Sequence, residues 1–439
     1  MDLTVSLMDL ANKIAVECQK LKQIGIEKED VPYIKYYVDF EYDGGTFKSF
    51  TVDVEEMTKK EFDPFKILEL HKRIVIQVAP NEFHRSVNLL ATFDDIDQSE
   101  AGMIIHKIID RIAEKLLESS EYADDDLQGY ISAICSSLER NLDWKVYMWI
   151  NGIWTSKKSL KILDGAVLRQ PLPSDFEKEI RKSFALSPIM DRGYEQGVNS
   201  ILELDITEST EQQVSAEIIN FRNLLILFRV GHLNFIQHTK IPSRIIGSSF
   251  GTTATRAYTH YPPPDYEFRT EDIKIFTQYA TAIRPYLDKL TTQNNFIGIA
   301  YQRYHDAFRQ RLNEGRVAFA INCLEALYLH KETGELSHRL CQRTAAILKT
   351  KSGYSGLQIY QYVKDAYKIR SKFVHGDTAK KCSRQLTDLV MNFARQSLLV
   401  FLQLGDRSKK GFLTLIDDSL LDEAKHQELL NMIQPMVIT

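Results

Sequence analysis

The sequence predicts an α+β protein, with an N-terminal mixed α/β region containing β-hairpins and a C-terminal all-α helical bundle. Runs that alternate apolar and polar residues flank the turn sequences Asp43-Gly44-Gly45 and Asn151-Gly152, which is the pattern of β-hairpins. From about residue 272 onward, apolar residues instead recur every three or four positions in consecutive runs. That spacing is typical of amphipathic helices.

The composition is that of an ordinary globular protein. The chain has 439 residues, of which 44% are hydrophobic and 26% are charged, enough for about two or three domains. The net charge of -4 argues against a globally basic nucleic-acid coat. No apolar run approaches the roughly 20 residues that a membrane span needs, so no membrane association is expected.

The five cysteines contain no Cys-x-x-Cys pair. Scattered cysteines of this kind predict a reducing, cytoplasmic location and no zinc site. A triple aspartate at 124–126 is interpreted as a solvated turn before a helix N-terminus rather than as a cation site. We therefore expect neither a metal nor a cofactor.

The N-terminal half is predicted to mix helices and strands. Predicted helices cover residues 1–27, 98–119 and 131–142, and another runs from Ser209 or Thr210 to about Phe228. Predicted strands cover residues 34–40, 46–54, 73–78, 86–93, 144–150, 153–156, 160–168 and 202–206.

The C-terminal half is predicted to be a series of helices with short loops, which pack as an up-and-down bundle. These helices cover residues 272–289, 295–313, 316–329, 336–349, 357–374, 383–404 and 420–432. The predicted segments are an N-terminal α+β domain (1–190), a middle strand-helix segment (191–294), the bundle (295–410) and a helical tail (411–439).

Arg370 has an unusual position on its predicted helix. Its helical neighbours include Val363, Ala366 and Phe373, so the guanidinium is rooted in the apolar face. A buried charge needs a partner or a function. His375 follows just before Gly376, a natural helix stop. An arginine that binds phosphate and a histidine that transfers protons together suggest a phosphodiester site.

Three segments resemble the HEPN superfamily, and within it the Apea-like family. Arg370-Ser371-Lys372-Phe373-Val374-His375 resembles the Arg-x4-His motif of these proteins, and residues 318–329 and 335–345 resemble their first two core helices. The similarity extends over about residues 296–405. It implies a metal-independent endoribonuclease in which His375 is the general acid or base and Arg370 neutralises the scissile phosphate. It also implies a homodimer and a role in bacterial antiviral defence or as a toxin.

Several other residues are candidate members of this site. Glu325 also faces inward and is expected to meet Arg370, either as a structural ion pair or as a group that orients the guanidinium. Arg343 is interpreted as either structural or site-lining. Ser371 stands where the family usually has a more polar residue. The expected RNA-binding residues are Lys368, Lys372, Lys380 and Lys381.

The local charge agrees with a polyanionic partner. Seven basic residues and two acidic ones lie between positions 364 and 384, although solvated helix ends give a similar pattern. Two alternative hypotheses remain at this point. One is a non-catalytic bundle for dimerisation or RNA binding, in which His375 only caps its helix. The other is a nucleotide sensor with a pocket in residues 30–260. The N-terminal half has an unknown trigger or partner in either case.

Overall fold

The structure of the protein is a computed structural model. It describes residues 3–23, 29–43, 46–61, 72–92, 98–118, 128–129, 131–132, 135, 142–172, 175, 198–209, 211–231, 233–242, 266–292, 295–332, 334–376, 382–405 and 407–439. The triple aspartate, most of the predicted helix at 131–142, Lys380 and Lys381 lie outside these residues.

The protein has an α+β fold, as the sequence predicts, with helices in most of the chain and small sheets. The chain packs as two compact units, each built from separate segments. The first unit contains Met1–Trp149, Gly165–Ala216 and Ile236–Thr255, and the second contains Ile150–Asp164, Glu217–Phe235 and Arg256–Thr439. The four consecutive segments proposed from the sequence stay a prediction.

The first 118 residues contain a helix, a long hairpin and a helical pair. In order they are α1 (Leu3–Gln23), β1 (Glu29–Asp43), β2 (Thr46–Glu61), a short π-helix (Ile74–Val78), α2 (Pro80–Leu90) and α3 (Gln98–Glu118). The helix predicted at the N-terminus, the first hairpin and the helix at 98–119 are confirmed. The hairpin is antiparallel, with Asp43 opposite Thr46 at the turn and Glu29 opposite Glu61 at its far end.

The strands predicted at 73–78 and 86–93 are wrong, because residues 74–78 and 86–90 are helical. Phe83, Val87 and Leu90 are all buried, and their spacing of four and three residues is that of one helix face. Pro80 occupies the first turn of α2, where its missing N–H costs nothing. Burial at 73–78 does not follow a strand either. Residues two apart on a strand lie on the same face, but Ile74 is buried whereas Ile76 is 68% exposed.

The next strands are β3 (Leu142–Asn151), β4 (Trp154–Thr155), β5 (Ser159–Leu163), β6 (Ala166–Arg169), β7 (Ser200–Ser209), β8 (Asn234–Pro242) and β9 (Glu267–Phe268), with α4 (Glu211–Phe228) between β7 and β8. Five strands form one sheet in the order β5-β6-β7-β3-β8. The strands predicted at 144–150 and 202–206 are confirmed, as is the helix ending at Phe228. The segment predicted as one strand at 160–168 instead forms two strands, β5 and β6, separated by a turn at residues 164–165.

The hairpin predicted across Asn151-Gly152 is wrong. β3 has β7 and β8 on its two sides, so it leaves no free edge for β4. Instead β4 pairs in parallel with β9, and the Trp154 N–H donates to the Tyr266 carbonyl at 2.8 Å. The tight turn of this region is at Asp164-Gly165, where Gly165 has a positive φ of 67° and joins β5 to β6.

The C-terminal part is helical as predicted. Its helices are α5 (Asp272–Ile283), α6 (Asp288–Thr291), α7 (Phe296–Phe308), α8 (Asn313–Tyr328), α9 (Leu336–Leu348), α10 (Gly356–His375), α11 (Arg384–Leu402), α12 (Lys409–Asp418) and α13 (Glu423–Ile433). The helix predicted at 272–289 is interrupted at Pro285, where a 3-10 turn separates α5 from α6. Proline removes an N–H and clashes with the preceding turn. Helix α12 was not predicted.

Helix α8 lies at the centre of this bundle and packs against α7, α10 and α11. Its faces are apolar almost all round, with Val317, Ile321, Leu324 and Tyr328 fully buried, as expected for a helix surrounded by others. The Tyr328 hydroxyl donates to Ser397 on α11 at 3.0 Å. The polar residues that remain on α8 therefore face specific partners on neighbouring helices.

Arg395 of α11 is a buried cation whose partners are carbonyl, amide and hydroxyl oxygens. Its guanidinium donates to the carbonyls of Leu227 and Phe228, each at 2.9 Å, to Asn392 and to Thr439. Leu227 and Phe228 end α4, where helix carbonyls lack partners and the helix dipole attracts cations. Arg395 therefore fastens α11 to the end of α4.

We predict that Arg395→Met lowers the free energy of unfolding by about 3 kcal/mol, because it leaves several buried carbonyls without donors. Urea denaturation measures this change. Arg384→Met on the same helix is the matched control. Its side chain is 56% exposed beside Asp388, so its effect should stay below about 1 kcal/mol. Equal effects of the two substitutions would contradict this role of Arg395.

Candidate active site

Arg370 and Glu325 meet, as the sequence predicts. They extend from α10 and α8, which pack against each other. Arg370 Nη2 lies 3.1 Å from Glu325 Oε2, and Arg370 Nε donates to Asn322 Oδ1 at 3.1 Å. Asn322 and Glu325 are one turn apart on α8, so a single helix face holds two edges of the guanidinium. This two-point attachment fixes the orientation of the Arg370 side chain.

Tyr367 completes this group of side chains, which we call the Arg370 cluster (Asn322, Glu325, Tyr367 and Arg370). The Tyr367 hydroxyl is near enough to Glu325 to affect the pKa of that carboxyl group, and the centroid of its ring lies 5.9 Å from the Arg370 guanidinium carbon. Burial raises the pKa of Glu325, although Arg370 and the tyrosine hydroxyl oppose this change. Burial also raises the pKa of Tyr367, and the nearby carboxylate adds to the effect.

The third nitrogen of the guanidinium is available for a ligand. Among the described residues, no acceptor lies within hydrogen-bond distance of Arg370 Nη1. The Arg370 side chain is 26% exposed. A fixed guanidinium with one outward edge can donate to an anionic oxygen such as that of a phosphodiester.

His375 lies at the other end of this short motif. It is the last residue of α10 and is exposed, and Gly376 follows in a left-handed conformation with φ of 73° that ends the helix. Side chains five residues apart on a helix point about 140° away from each other. The structure describes no contact between His375 and the Arg370 cluster. One chain therefore does not bring the imidazole and the guanidinium together.

Arg343 makes no contact with the Arg370 cluster among its hydrogen bonds, and its partners are those of the structural alternative. It is 3% exposed, and two of its nitrogens donate to Asp417 at 2.8 and 2.7 Å. Its remaining Nη1 donates to Glu332 and to the Tyr328 carbonyl. These acceptors occupy all three guanidinium nitrogens, so Arg343 connects α9 to α12.

The predicted RNA-binding lysines are exposed where they are described. Lys368 lies 3.1 Å from Asp365 one turn earlier on α10, and its side chain is 62% exposed. Lys372 is also exposed, and Ser371 is half-buried. Exposed side chains on one helical end can move to meet a phosphate backbone.

Asn322 and Tyr367 are site residues that the sequence did not single out. Each precedes a predicted site residue by three positions, so each lies one turn away on the same helix. That spacing was visible in the sequence. Their participation depends on the rotation of α8 against α10, which only the packed structure defines.

Among the described residues, no group of three His, Cys, Asp or Glu side chains is placed to hold a metal ion. No helix in the described part combines the length and apolar character needed to cross a bilayer. Comparisons with protein-family models, with curated proteins and with solved structures each give no significant match to this chain.

The raised pKa of Glu325 predicts a pH dependence of stability. Just above pH 4.5, its usual value, the folded state keeps a proton that the unfolded state has lost, so the free energy of unfolding falls as pH rises through this window. Glu325→Gln removes the titrating group. We predict that the stability of this variant, relative to the parent, increases between pH 4.5 and 7 in urea denaturation. A relative decrease would mean that Arg370 and Tyr367 outweigh burial.

Proposed function

We propose that the protein is a metal-independent endoribonuclease of the HEPN type that cleaves RNA by attack of the ribose 2′-hydroxyl. The observation that supports this most directly is the oriented Arg370 guanidinium, held by Glu325 and Asn322 with Nη1 free. The Arg370 donor would bind a non-bridging oxygen of the scissile phosphate. It would stabilise the negative charge that develops on that oxygen in the transition state.

His375 has the chemistry for the proton transfers of this reaction. An imidazole can take the 2′-hydroxyl proton or give a proton to the leaving oxygen near neutral pH. His375 takes the 2′-hydroxyl proton as the 2′-oxygen attacks phosphorus and the bond to the 5′-oxygen breaks. The imidazolium then gives this proton to the leaving 5′-oxygen, so the products are a 2′,3′-cyclic phosphate and a 5′-hydroxyl. Each step uses only the two side chains and the ribose.

The exposure of His375 and its distance along the helix from Arg370 favour a homodimer. Phe373 and Val374, beside His375, are 37% and 55% exposed. Apolar residues exposed near a helix end are a common feature of interfaces between copies. In the dimer, the histidine of each protomer would meet the arginine of the other across a two-fold axis.

Cys323, Cys341 and Cys382 are buried free thiols, which supports the proposal of a cytoplasmic protein. A role in antiviral defence or as a toxin follows only from the family resemblance. The substrate RNA sequence and the trigger are open parts of this proposal.

We predict that His375→Ala and Arg370→Ala each lower RNA cleavage by about 100-fold or more. The assay contains EDTA, and the product should carry a 2′,3′-cyclic phosphate. His426→Ala, which removes a histidine from α13, is the control and should retain full activity. If folded His375→Ala and Arg370→Ala proteins cleave RNA as fast as the parent, the proposed mechanism is wrong.

The composite dimer site gives a second prediction. When Arg370→Ala and His375→Ala protomers are unfolded, mixed and refolded together, each heterodimer has one intact site, made of the arginine of one protomer and the histidine of the other. Random pairing should then restore roughly a quarter of the parental activity. No recovery, although heterodimers are detected by mass spectrometry, would show that the two groups act within one chain.

The alternative is a non-catalytic bundle for dimerisation or RNA binding, and the ion pair itself favours it. Two of the three guanidinium nitrogens of Arg370 already bind α8, which suits a residue that joins two helices. Under this alternative, Arg370→Ala lowers the melting temperature, whereas His375→Ala changes neither the melting temperature nor any RNA cleavage.

A further inference from the structure

A cavity of about 590 Å³ lies between α4, the α6–α7 linker and α7, and it shares no lining residue with the Arg370 cluster. Arg222 and Asn223 of α4 and Tyr301 and His305 of α7 are among the residues that line it. Its volume is that of a small-molecule site. No aspartate or glutamate lines it, so any formal charge on its wall is positive.

Arg222 brings a cation to this cavity without an opposing carboxylate. Its guanidinium lies over the Phe235 ring, 5.1 Å from the centroid, which leaves the donors along the guanidinium edge free. Among the described residues, no carboxylate forms an ion pair with it. Glu217, on the same helix, is paired with Arg284 instead. Burial lowers the pKa of Arg222, as expected for a cation that lacks a partner.

Asn223 adds a second unused donor. It is 5% exposed, and its Oδ1 accepts a hydrogen bond from the Tyr301 hydroxyl at 2.7 Å. This bond orients the amide. The Nδ2 atom is buried and has no hydrogen-bond partner among the described residues. Buried amide donors are seldom left unpaired in folded proteins, so this one indicates a missing acceptor.

The rest of the lining suits a ligand with an anionic end and an apolar end. Burial lowers the pKa of His305, with Arg309 and Arg222 contributing, so its imidazole is neutral at pH 7 and can share a proton. Gly298 lies in the first turn of α7, where the helix dipole is positive. The isoleucines Ile219 and Ile299 are 42% and 47% exposed and provide apolar surface at the same cavity.

We propose that this cavity is a binding site for a small organic anion. A carboxylate or phosphate group of the ligand is held by the guanidinium edge of Arg222 and the amide of Asn223, and its apolar part packs on Ile219 and Ile299. A guanidinium edge and an amide donor bind planar and tetrahedral oxyanions alike. This proposal is independent of the proposed nuclease, because the two sites have no residue in common.

The test uses three aromatic probes of similar size with the full-length protein. Phenyl phosphate and benzoate carry the two candidate anions, and benzamide is neutral. Ligand-detected NMR titrations should give a dissociation constant of about 1 mM or below for at least one anion. Benzamide should bind at least tenfold more weakly. The better anion then identifies which oxyanion the cavity prefers.

Two variants connect binding to this cavity. Arg222→Met should weaken anion binding at least tenfold. It should not lower the melting temperature of the free protein, because it removes an unpaired, half-buried cation. Asn223→Asp keeps the shape but replaces the amide donor by a carboxylate that pairs with Arg222, and it should abolish binding. Arg303→Met, which removes an exposed arginine of α7 outside the cavity lining, is the matched control and should bind like the parent.

Three results would overturn the proposal. In the first, neither anion binds at a concentration 10 times the expected dissociation constant. In the second, the anions bind Arg222→Met as tightly as the parent. In the third, the melting temperature of Arg222→Met is markedly lower than that of the parent. The last result would make Arg222 a structural residue that stacks on Phe235. RNA cleavage is measured separately and involves none of these residues. The anion-site proposal and the nuclease proposal can therefore fail independently.

Discussion

The ion pair between Arg370 and Glu325 fixes how α8 and α10 meet, and the candidate active site depends on that contact. Both side chains leave apolar helix faces and are half-buried, at 26% and 20% exposure. A pair in this position is costly to break, because each member would remain desolvated without its partner. The same pair orients the Arg370 guanidinium. One interaction therefore both joins α8 to α10 and holds the guanidinium in position for a ligand.

The arginines of the C-terminal helices differ in how completely their donors are used, and this separates structural from functional candidates. Arg343 has two carboxylates and a carbonyl, and Arg395 has carbonyls and an amide. Arg370 keeps one nitrogen free, and Arg222 has only an aromatic ring. A guanidinium whose nitrogens all have protein acceptors stabilises the fold and is a poor candidate for ligand binding. A half-buried guanidinium nitrogen without a protein acceptor costs stability, so its presence indicates a binding role.

Periodicity predicted most helices of the bundle because their buried faces are long and regular, as α10 and α11 show. It failed where local patterns are short. The run at 73–78 alternates like a strand but is helical, and the Asn151-Gly152 turn suggested a hairpin that strand order in the sheet does not allow. The contact between Arg370 and Glu325 could be predicted, because two opposite charges on inward helix faces are expected to pair. The Arg343 side chain also lies on an inward helix face. Its structural role follows from its ion pair with Asp417 on α12, a helix that the sequence did not predict.

The geometry of α10 places a limit on any catalytic model with this motif. An arginine fixed against α8 cannot turn toward a histidine about 140° away around the same helix without breaking its bonds to Asn322 and Glu325. Those bonds are what orient the guanidinium, so breaking them would remove the preorganisation that makes it useful. In the proposed dimer, the histidine of a second protomer would approach the free Nη1 while Arg370 keeps its bonds to α8. The proposed mechanism therefore requires a dimer to meet the structural and the catalytic demands on Arg370 together.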